Sequence, residues 1–438
     1  MSVDTPLTLR WWNLAQTFTQ TDPSKESSPW PVDSAAGAKA ALWDVDGPSL
    51  TLTSARPSLA LVKHGLVPTQ RYADLPQPDC ADRWLDTEAG GRLLEIARQA
   101  GTIRLAPGVW TRQVDSIRRV FEKQRIAVEV ETACPHGRVF HWNTRVGMRD
   151  LFLSIPSIAA HLPPSLVCHD ATHVKTAASR LGGKTLLVKS NFALGGLGTV
   201  ILPTGGVDPS KLVELIAAHL PEPVQGKGKA FAWAWREEPF VVEQFEGSLK
   251  TNISVTLDAR QICGATEILG CSEQLIEDGF AYAGIRSLEP ALEARHQPQL
   301  TLITEAVGQA LATRGFAGCF NLDFVLTQDG RCFLVDLNVR RSAPLDLHRL
   351  LARLLARCPT DWLCYQAIEQ FGTVWESEAA IGHALASEGL AFDGRTGVLP
   401  LCCPYPCHAS GGFRVPLLLL ATDEAGLLRL ADGIHRVC

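Results

Sequence analysis

The chain has no block of like charge. Its 438 residues carry 41 Lys and Arg against 46 Asp and Glu, a formal net charge of −5. Without a basic run there is no electrostatic footprint for nucleic acid. Long apolar stretches are also missing. The longest is "VPLLLLA" at 415–421, whereas a membrane-spanning helix needs about 20 apolar residues. The opening "MSVDTPLTLRWWNLAQ" lacks a charged-then-apolar leader pattern, so the expectation is a cytoplasmic protein without a membrane partner. Thirteen cysteines in such a chain read as reduced thiols. Cys402, Cys403, Cys407 and His408 crowd together in "LCCPYPCH", but their spacing matches no standard zinc pattern, so they read as loop residues. There is no internal repeat, and no G-K-[ST] follows the glycine-rich stretch near 195, which excludes a Walker-type P-loop.

What is present is an ordinary globular composition, 46% hydrophobic and 20% charged, with room for two or three domains. Residues 20 to 50, rich in Ser, Pro and Ala, read as a loop. From about 51 to 140, short apolar strands such as "SLALVKHGLVP" alternate with helical stretches, "EAGGRLLEIARQAG" and "RQVDSIRRVFEKQ", the pattern of a small α/β layer domain. Residues 145 to 161 read as helix, and "TLLVKS", "TVILP", "FVVEQF" and "NISVTLDARQICGATEIL" as strands. "QLTLITEAVGQALATRG" and "LDLHRLLARLLARC" read as helices, and the stretch after 411 as a strand followed by a short helix.

"DFVLTQDGRCFLVDLN" (323–338) carries the strongest chemical signal. Taking Asp329-Gly330 as a two-residue turn, Gln328 pairs with Arg331, Val325 with Leu334 and Phe324 with Val335. Asp323 then falls opposite Asp336 and Asn321 opposite Asn338. Leu322, Phe324, Leu326, Phe333, Val335 and Leu337 form the core face. Like charges directly opposite destabilise a sheet, and two carboxylates about 4 Å apart repel by roughly 4 kcal/mol at an effective dielectric near 20. Such a pair either shares a proton, holds a divalent cation through hard oxygen ligands, or faces water.

"LLVKSNFALGGLGTVIL" is a second signal. Lys189 ends a buried strand, and Gly195, Gly196 and Gly198 follow in a turn that leads into another strand. Backbone N–H groups crowded by glycine, beside a lysine, suit a phosphate. Between the two signals, "FVVEQFEGS" ends an apolar strand at Glu243, Gln244 and Phe245. Such an end can offer backbone hydrogen bonds to a purine edge and a carboxylate to ribose hydroxyls.

A lysine with glycines, then E-x-F-x-G, then a D…D-x-N-x-R hairpin resembles the ATP-grasp superfamily of carboxylate–amine ligases over roughly 140 to 345. The resemblance implies an α/β (α+β) fold. A pre-ATP-grasp α/β domain would span 1–140, a central and lid subdomain 141–242, and a C-terminal antiparallel-sheet subdomain with an extension 243–438. It implies ATP and two Mg²⁺ ions as cofactors, with Asp323, Asp336 and Asn338 as metal ligands. Lys189 and Gly195, Gly196 and Gly198 would sit on the phosphates, Glu243 and Phe245 on the adenine, and Glu246 near the ribose. Arg340 would steady the transferred phosphoryl group or the acyl intermediate. The family's first lysine has no counterpart near "WNTRVGMRD", where Arg145 and Arg149 stand, and Arg145 takes that place in the reading; Lys175 is a further basic residue that could serve.

"GCSEQLIEDGFAYAGIRS" and "DLNVRRSAPLDLH" look most like natural-product peptide ligases of the pheganomycin type. That likeness puts Gln274, Tyr282 and Arg286 beside the substrate. Alternation puts Arg340 on the site face and Arg341 on the other, unless the following Ser and Pro let Arg341 swing toward the substrate loop and grip a carboxylate. The implied partners are a small-molecule carboxylate and an amine, and a homodimer is compatible with them. A phosphoryl-transfer enzyme without ligation and an inactive nucleotide-binding regulator remain as alternative readings.

Overall fold

The structure, a computed structural model, describes residues 6–11, 49–53, 63, 71–74, 88–132, 134–169, 171–181, 185–191, 199–202, 239–245, 252–277, 281–357, 364–407 and 412–437. The loop expected over 20–50 lies outside them, apart from its last two residues. The strand expected at 58–68 also lies outside them, apart from Lys63.

Three sheets organise the chain. The first is all parallel, in the order β3 (Arg71–Asp74), β2 (Ser49–Thr53), β1 (Leu7–Trp11), β4 (Thr102–Pro107), β5 (Ala127–Val130). Helices α1 (Glu88–Ala100) and α2 (Arg112–Lys123) flank β4 in sequence. Gly101 stops α1 in the left-handed region at φ 74°, which costs glycine nothing. Thr111 caps α2 by accepting from the Val114 N–H. The α/β layering expected for this part of the chain is present.

Two short helices follow, α3 (His136–Trp142) and α4 (Arg145–Leu153), and then a 3₁₀ turn at Pro156–His161. The second sheet is antiparallel, ordered β6 (Ser165–Cys168), β9 (Phe240–Gln244), β7 (Leu186–Ser190), β8 (Thr199–Leu202), with α5 (Ala171–Leu181) packed on it. Glu243, at the expected subdomain boundary, lies inside β9 and therefore in this sheet.

The third sheet has nine strands, all antiparallel. Its path runs β14 (Cys332–Asn338), β13 (Gly318–Leu326), β10 (Ile253–Ile262), β11 (Ala265–Glu277), β12 (Ala281–Arg286), β15 (Cys364–Thr373), β18 (Gly412–Ala421), β16 (Gly397–Pro400), and β17 (Tyr405–Cys407) pairs with β18. Two helices pack against β10 and β11: α6 (Pro290–Thr313) on one face and α7 (Ala343–Arg357) on the other. Two further helices, α8 (Glu378–Ser387) and α9 (Glu424–Val437), complete this part. One hydrophobic core runs from Leu9, Ile103 and Leu105 of the first sheet to Val255, Leu257, Leu322 and Phe324 of the third, so these sheets do not fold around separate interiors.

The hairpin register differs from expectation in a way that cancels. Thr327 faces Arg331, its N–H donating to Arg331 O at 3.0 Å and its hydroxyl accepting from the Arg331 N–H at 3.1 Å, giving a three-residue turn with Gly330 at φ 85°. Phe324 accordingly faces Leu334 and Val325 faces Phe333, one residue off the predicted pairs. The register then shifts at Asp323/Phe324, leaving Val335 as a bulge, and Asp323 faces Asp336 and Asn321 faces Asn338 as predicted. A bulge switches which face a strand presents. Cys332 and Leu334 join the main core cluster, which Phe333 and Val335 do not; Phe333 is buried as expected, but beneath the Arg331 guanidinium, 5.1 Å away.

Candidate active site

Two cross-strand rows build the floor of the site. Thr256, Asp323 and Asp336 form one row across β10, β13 and β14; Asp258, Asn321 and Asn338 form the next. Val255, Leu257, Leu322, Phe324 and Leu337 alternate with them and point into the core. The carboxylate row is therefore held on a rigid, fully packed support.

Burial and the facing Asp336 push the Asp323 carboxyl up to about 7, opposed by a hydrogen bond from Thr256 and by Arg145. Gln274 donates to Asp323 Oδ1 at 2.9 Å and accepts from Ser254 at 2.6 Å. Asn338 donates to Asn321 Oδ1 at 3.0 Å, and its own Oδ1 accepts from Arg340 at 2.5 Å. Burial lowers the Arg340 pKa, opposed by Asp336 and Asp323.

Arg145 enters from α4. Thr144 caps that helix by accepting from Gly147 N–H at 3.0 Å. Asn191, just past β7, accepts from the Arg145 and Val146 N–H groups through its main-chain and side-chain oxygens, both at 3.0 Å. The buried guanidinium forms an ion pair with Asp336, and its pKa is raised by Asp336, Glu243 and Asp323 against the effect of burial. Lys189 of β7 donates to Glu243 of β9 at 2.6 Å, both side chains being buried. The structure thus brings Arg145, Lys189, Glu243, Gln274, Asp323, Asp336, Asn338 and Arg340 into one electrostatic cluster. Arg149 is not in it: it ties α4 to β6 through two 2.9 Å bonds to Ser165.

Other predicted residues are placed differently. Arg341 does not swing toward the substrate loop. It is 3% exposed, its guanidinium pairs with Glu131 just past β5, and its N–H donates to Gly108 O at 2.9 Å. Arg286 pairs across β11 and β12 with Glu273, at 2.8 and 2.9 Å, on the face opposite Gln274, because neighbouring residues of a strand point to opposite sides. Tyr282 packs against the hydrophobic cluster that α7 shares with β12, β15 and β18. Its hydroxyl has no partner among the described residues, and burial raises its pKa well above the usual phenol range. The Gln244 and Phe245 N–H groups donate to Pro164 O and Thr185 O, both at 2.8 Å, so neither is left for a purine edge. Gly195, Gly196, Gly198 and Glu246 lie outside the described residues, as does the side chain of Lys175.

Among the described residues, no three His, Cys, Asp or Glu side chains are grouped to hold a metal ion. Asp323, Asp336 and the Asn338 carbonyl oxygen form a hard, all-oxygen set that is incomplete by itself, the kind suited to Mg²⁺ that also binds phosphate. The raised Asp323 pKa fits it, since a cation would replace the proton that repulsion otherwise demands. In "LCCPYPCH", Cys402 is buried and Cys403 donates to Glu378 at 3.6 Å.

Sequence reasoning missed Thr256 and Asp258. The signal was there: in "ISVTLDA", Ser254, Thr256 and Asp258 alternate with apolar residues, the mark of a strand with one polar face.

No family model matches the chain, and no curated protein matches it in sequence. Solved structures do match. Biotin carboxylase from Campylobacter jejuni, as a beta-gamma-ATP complex, aligns with a TM-score of 0.55 at 10% identity, over 98% of this chain and 90% of its own. The ADP complex of purK, an N5-carboxyaminoimidazole ribonucleotide synthetase, aligns at 0.53 and 10%, over 98% and 96%. N5-carboxyaminoimidazole synthase from Aspergillus clavatus, with ADP and its ribonucleotide, aligns at 0.52 and 10%, over 99% and 100%. The chain has the ATP-grasp fold. At this identity the likeness establishes architecture over nearly the whole chain. Chemistry has to come from the site.

Proposed function

We propose that the protein is an ATP-dependent ligase that joins a carboxylate to an amine through an acyl phosphate, releasing ADP and phosphate. The observation that carries this reading is the pairing of Arg145 with Asp336, beside Asp323, Asn338 and Arg340, while Arg145 also feels Glu243, the partner of Lys189. These are the parts that phosphoryl transfer needs: cations for the phosphates, oxygens for a metal, and an arginine where charge grows. Support also comes from the biotin carboxylase and purK structures, whose complexes hold a nucleotide on the same fold.

A carboxylate has no adequate leaving group toward an amine. Its oxygen attacks the γ-phosphorus, the bond to ADP breaks, and the amine then displaces phosphate from the acyl carbon. Asp323, Asp336 and Asn338 would hold two Mg²⁺ ions, which would supply positive charge to the phosphate oxygens. Lys189 and Arg145 hold phosphate oxygens, Arg340 stabilises the charge that develops during transfer, and Gln274 keeps Asp323 oriented. The resemblance assigns Gly195, Gly196 and Gly198 to the phosphates, and Glu243, Phe245 and Glu246 to the nucleoside.

In this reading the pre-ATP-grasp domain is 1–140, the central and lid part runs from 141 through β9, and the remainder is the C-terminal part. The finer assignment is a natural-product peptide ligase of the pheganomycin type, supported by the stretches at 270–287 and 336–348. Its substrates would be a small carboxylate and an amino-acid or peptide amine in a cytoplasmic reaction. Among the described residues no helix is long and apolar enough to cross a membrane.

The test is an ADP-release screen over amino acids and small acids with ATP and Mg²⁺, followed by mass spectrometry. An amide product with ADP and phosphate is expected. AMP with pyrophosphate overturns the mechanism, and a phosphorylated acid as the end product overturns ligation.

A further inference from the structure

Asn321 was not among the three ligands, yet it bonds to one of them, Asn338, and to Thr256, which bonds to a second, Asp323. It is 2% exposed and lies between Asp258 and Asn338 in one cross-strand row. Its Nδ2 donates to Asp258 Oδ1 at 3.1 Å, Thr256 Oγ1 at 2.7 Å and Leu257 O at 3.3 Å. Its Oδ1 accepts from Asn338 Nδ2 at 3.0 Å.

An amide side chain has a donor end and an acceptor end of nearly the same shape, and its neighbours decide which way it points. A carboxylate oxygen only accepts, so Asp258 requires the Nδ2 end of Asn321. Asn321 then shows Oδ1 to Asn338, which must answer with Nδ2. Only one orientation of Asn338 remains, with its carbonyl oxygen on the Arg340 side of the site. The same Nδ2 donates to Thr256 Oγ1, so the Thr256 hydroxyl sends its proton to Asp323. Asp258 is itself held at the other end. It is 1% exposed, its Oδ1 also accepts from Ser342, and its Oδ2 lies 3.0 Å from His348 Nδ1. The His348 ring rests on Gly270, where a Cβ would come within 2.3 Å of it, and His348 Nε2 contacts Ser272 at 2.5 Å.

The geometry points to Asn321 as a positioning residue that, with its direction set by Asp258, fixes the polarity of the metal ligand Asn338 and, through Thr256, supports a hydrogen bond to a second ligand, Asp323. This inference rests on the proposed metal site and adds what makes that site present oxygen instead of N–H. Without the Asp258 anchor, only the Arg340 bond still directs the Asn338 oxygen, so the ligand is oriented less firmly with no change in volume. Partners that orient metal ligands typically matter by about 10- to 100-fold in metal affinity.

The experiment measures Mn²⁺ binding in the presence of ADP, by electron paramagnetic resonance, for the full chain and three variants, alongside metal-free melting temperatures. Asn321→Leu is expected to weaken Mn²⁺ binding about 10- to 100-fold. Asp258→Asn, which preserves volume and serves if Asn321→Leu does not fold, is expected to lose at least about threefold, because an amide at 258 offers either end. The exchange Asp258→Asn with Asn321→Asp restores the direction of Asn338 alone, since Asn at 258 donates to Asp at 321, which still accepts from Asn338 but has no N–H for Thr256. Its binding should exceed that of Asn321→Leu by at least about threefold. Parent-like binding by whichever single variant folds overturns the inference, as does an exchange variant that melts like the parent yet binds as weakly as Asn321→Leu. A parent chain that takes up no Mn²⁺ with ADP overturns the functional reading, and the inference with it.

Discussion

Asp323 stands directly opposite Asp336 across β13 and β14, and the Arg145 guanidinium is bonded to Asp336. The two carboxyls therefore have unequal surroundings, and burial together with the facing Asp336 pushes the Asp323 carboxyl up to about 7. Unfolded, it returns to an ordinary value of about 4. Between these values the folded chain holds a proton that the unfolded chain has released, so stability from this group is complete below about pH 4 and lost as pH rises through about 7. In metal-free buffer the melting temperature should fall from about pH 5 to about pH 8. Asp323→Asn should flatten that slope and raise stability near pH 8 by about 1 kcal/mol. An unchanged slope in the variant would refute the assignment.

Asp336→Asn should behave differently. From the hairpin alone, removing either aspartate relieves repulsion. In the folded chain, removing Asp336 takes the partner from a buried arginine, and such losses outweigh the relief. Because Asp336 is partly exposed, the expected cost is about 2 kcal/mol in urea unfolding, together with loss of ligation. A variant more stable than the parent would show that Arg145 contributes nothing at this position.

Arg341→Ala should cost stability and leave substrate KM values unchanged, because its guanidinium is committed to Glu131. Breaking a buried pair of this kind costs about 3 kcal/mol, less where one partner is partly exposed. Glu131→Ala should cost a similar amount, and a double-mutant cycle should show coupling. A KM effect for the carboxylate substrate without destabilisation would return Arg341 to the substrate.

Arg340→Ala should lower kcat about 100-fold or more with little change in the KM for ATP, as expected of a group acting mainly on developing charge. Arg340→Lys should not restore activity, since an ammonium lacks the planar fork that reaches Asn338 and a phosphoryl oxygen together. Unchanged kcat in Arg340→Ala would remove the link between this hairpin and phosphoryl chemistry.

Much of the site could be read from periodicity. The facing of Asp323 and Asp336 follows from counting outward from a turn, although the count passes through two errors that cancel: one extra residue in the turn and one bulged residue at Val335. Neither leaves a mark in the sequence beyond a face assignment, Phe333 and Val335 for Cys332 and Leu334, that only packing resolves. Between Arg145 and Arg149, propensity does not choose. Thr144 starts the helix immediately before Arg145, placing that residue at the exposed N–H end beside Asn191 while Arg149, one turn on, reaches β6. Strand β1, "LTLRW", joins the two halves of the parallel sheet, but five residues are too few for a periodic signal. The destination of Arg341 depends on Glu131, 210 positions away in sequence, and no local rule reaches that far.

Beyond Asn338 the chain leaves β14, and its next residues are held by the front of the protein. Val339 exchanges hydrogen bonds with the Asn143 side chain at 3.0 and 3.2 Å, and Arg341 is fastened to Gly108 and Glu131. Arg340 sits between these two anchors, so its aim is set from the parallel sheet as much as from its own strand. The amino-terminal third therefore behaves as a jig for the reacting end of the molecule. An excised carboxy-terminal portion would keep its hairpin and its aspartates but lose the grip on Arg340, and exchanging the front third for that of a relative would require Gly108, Glu131 and Asn143 to travel with it.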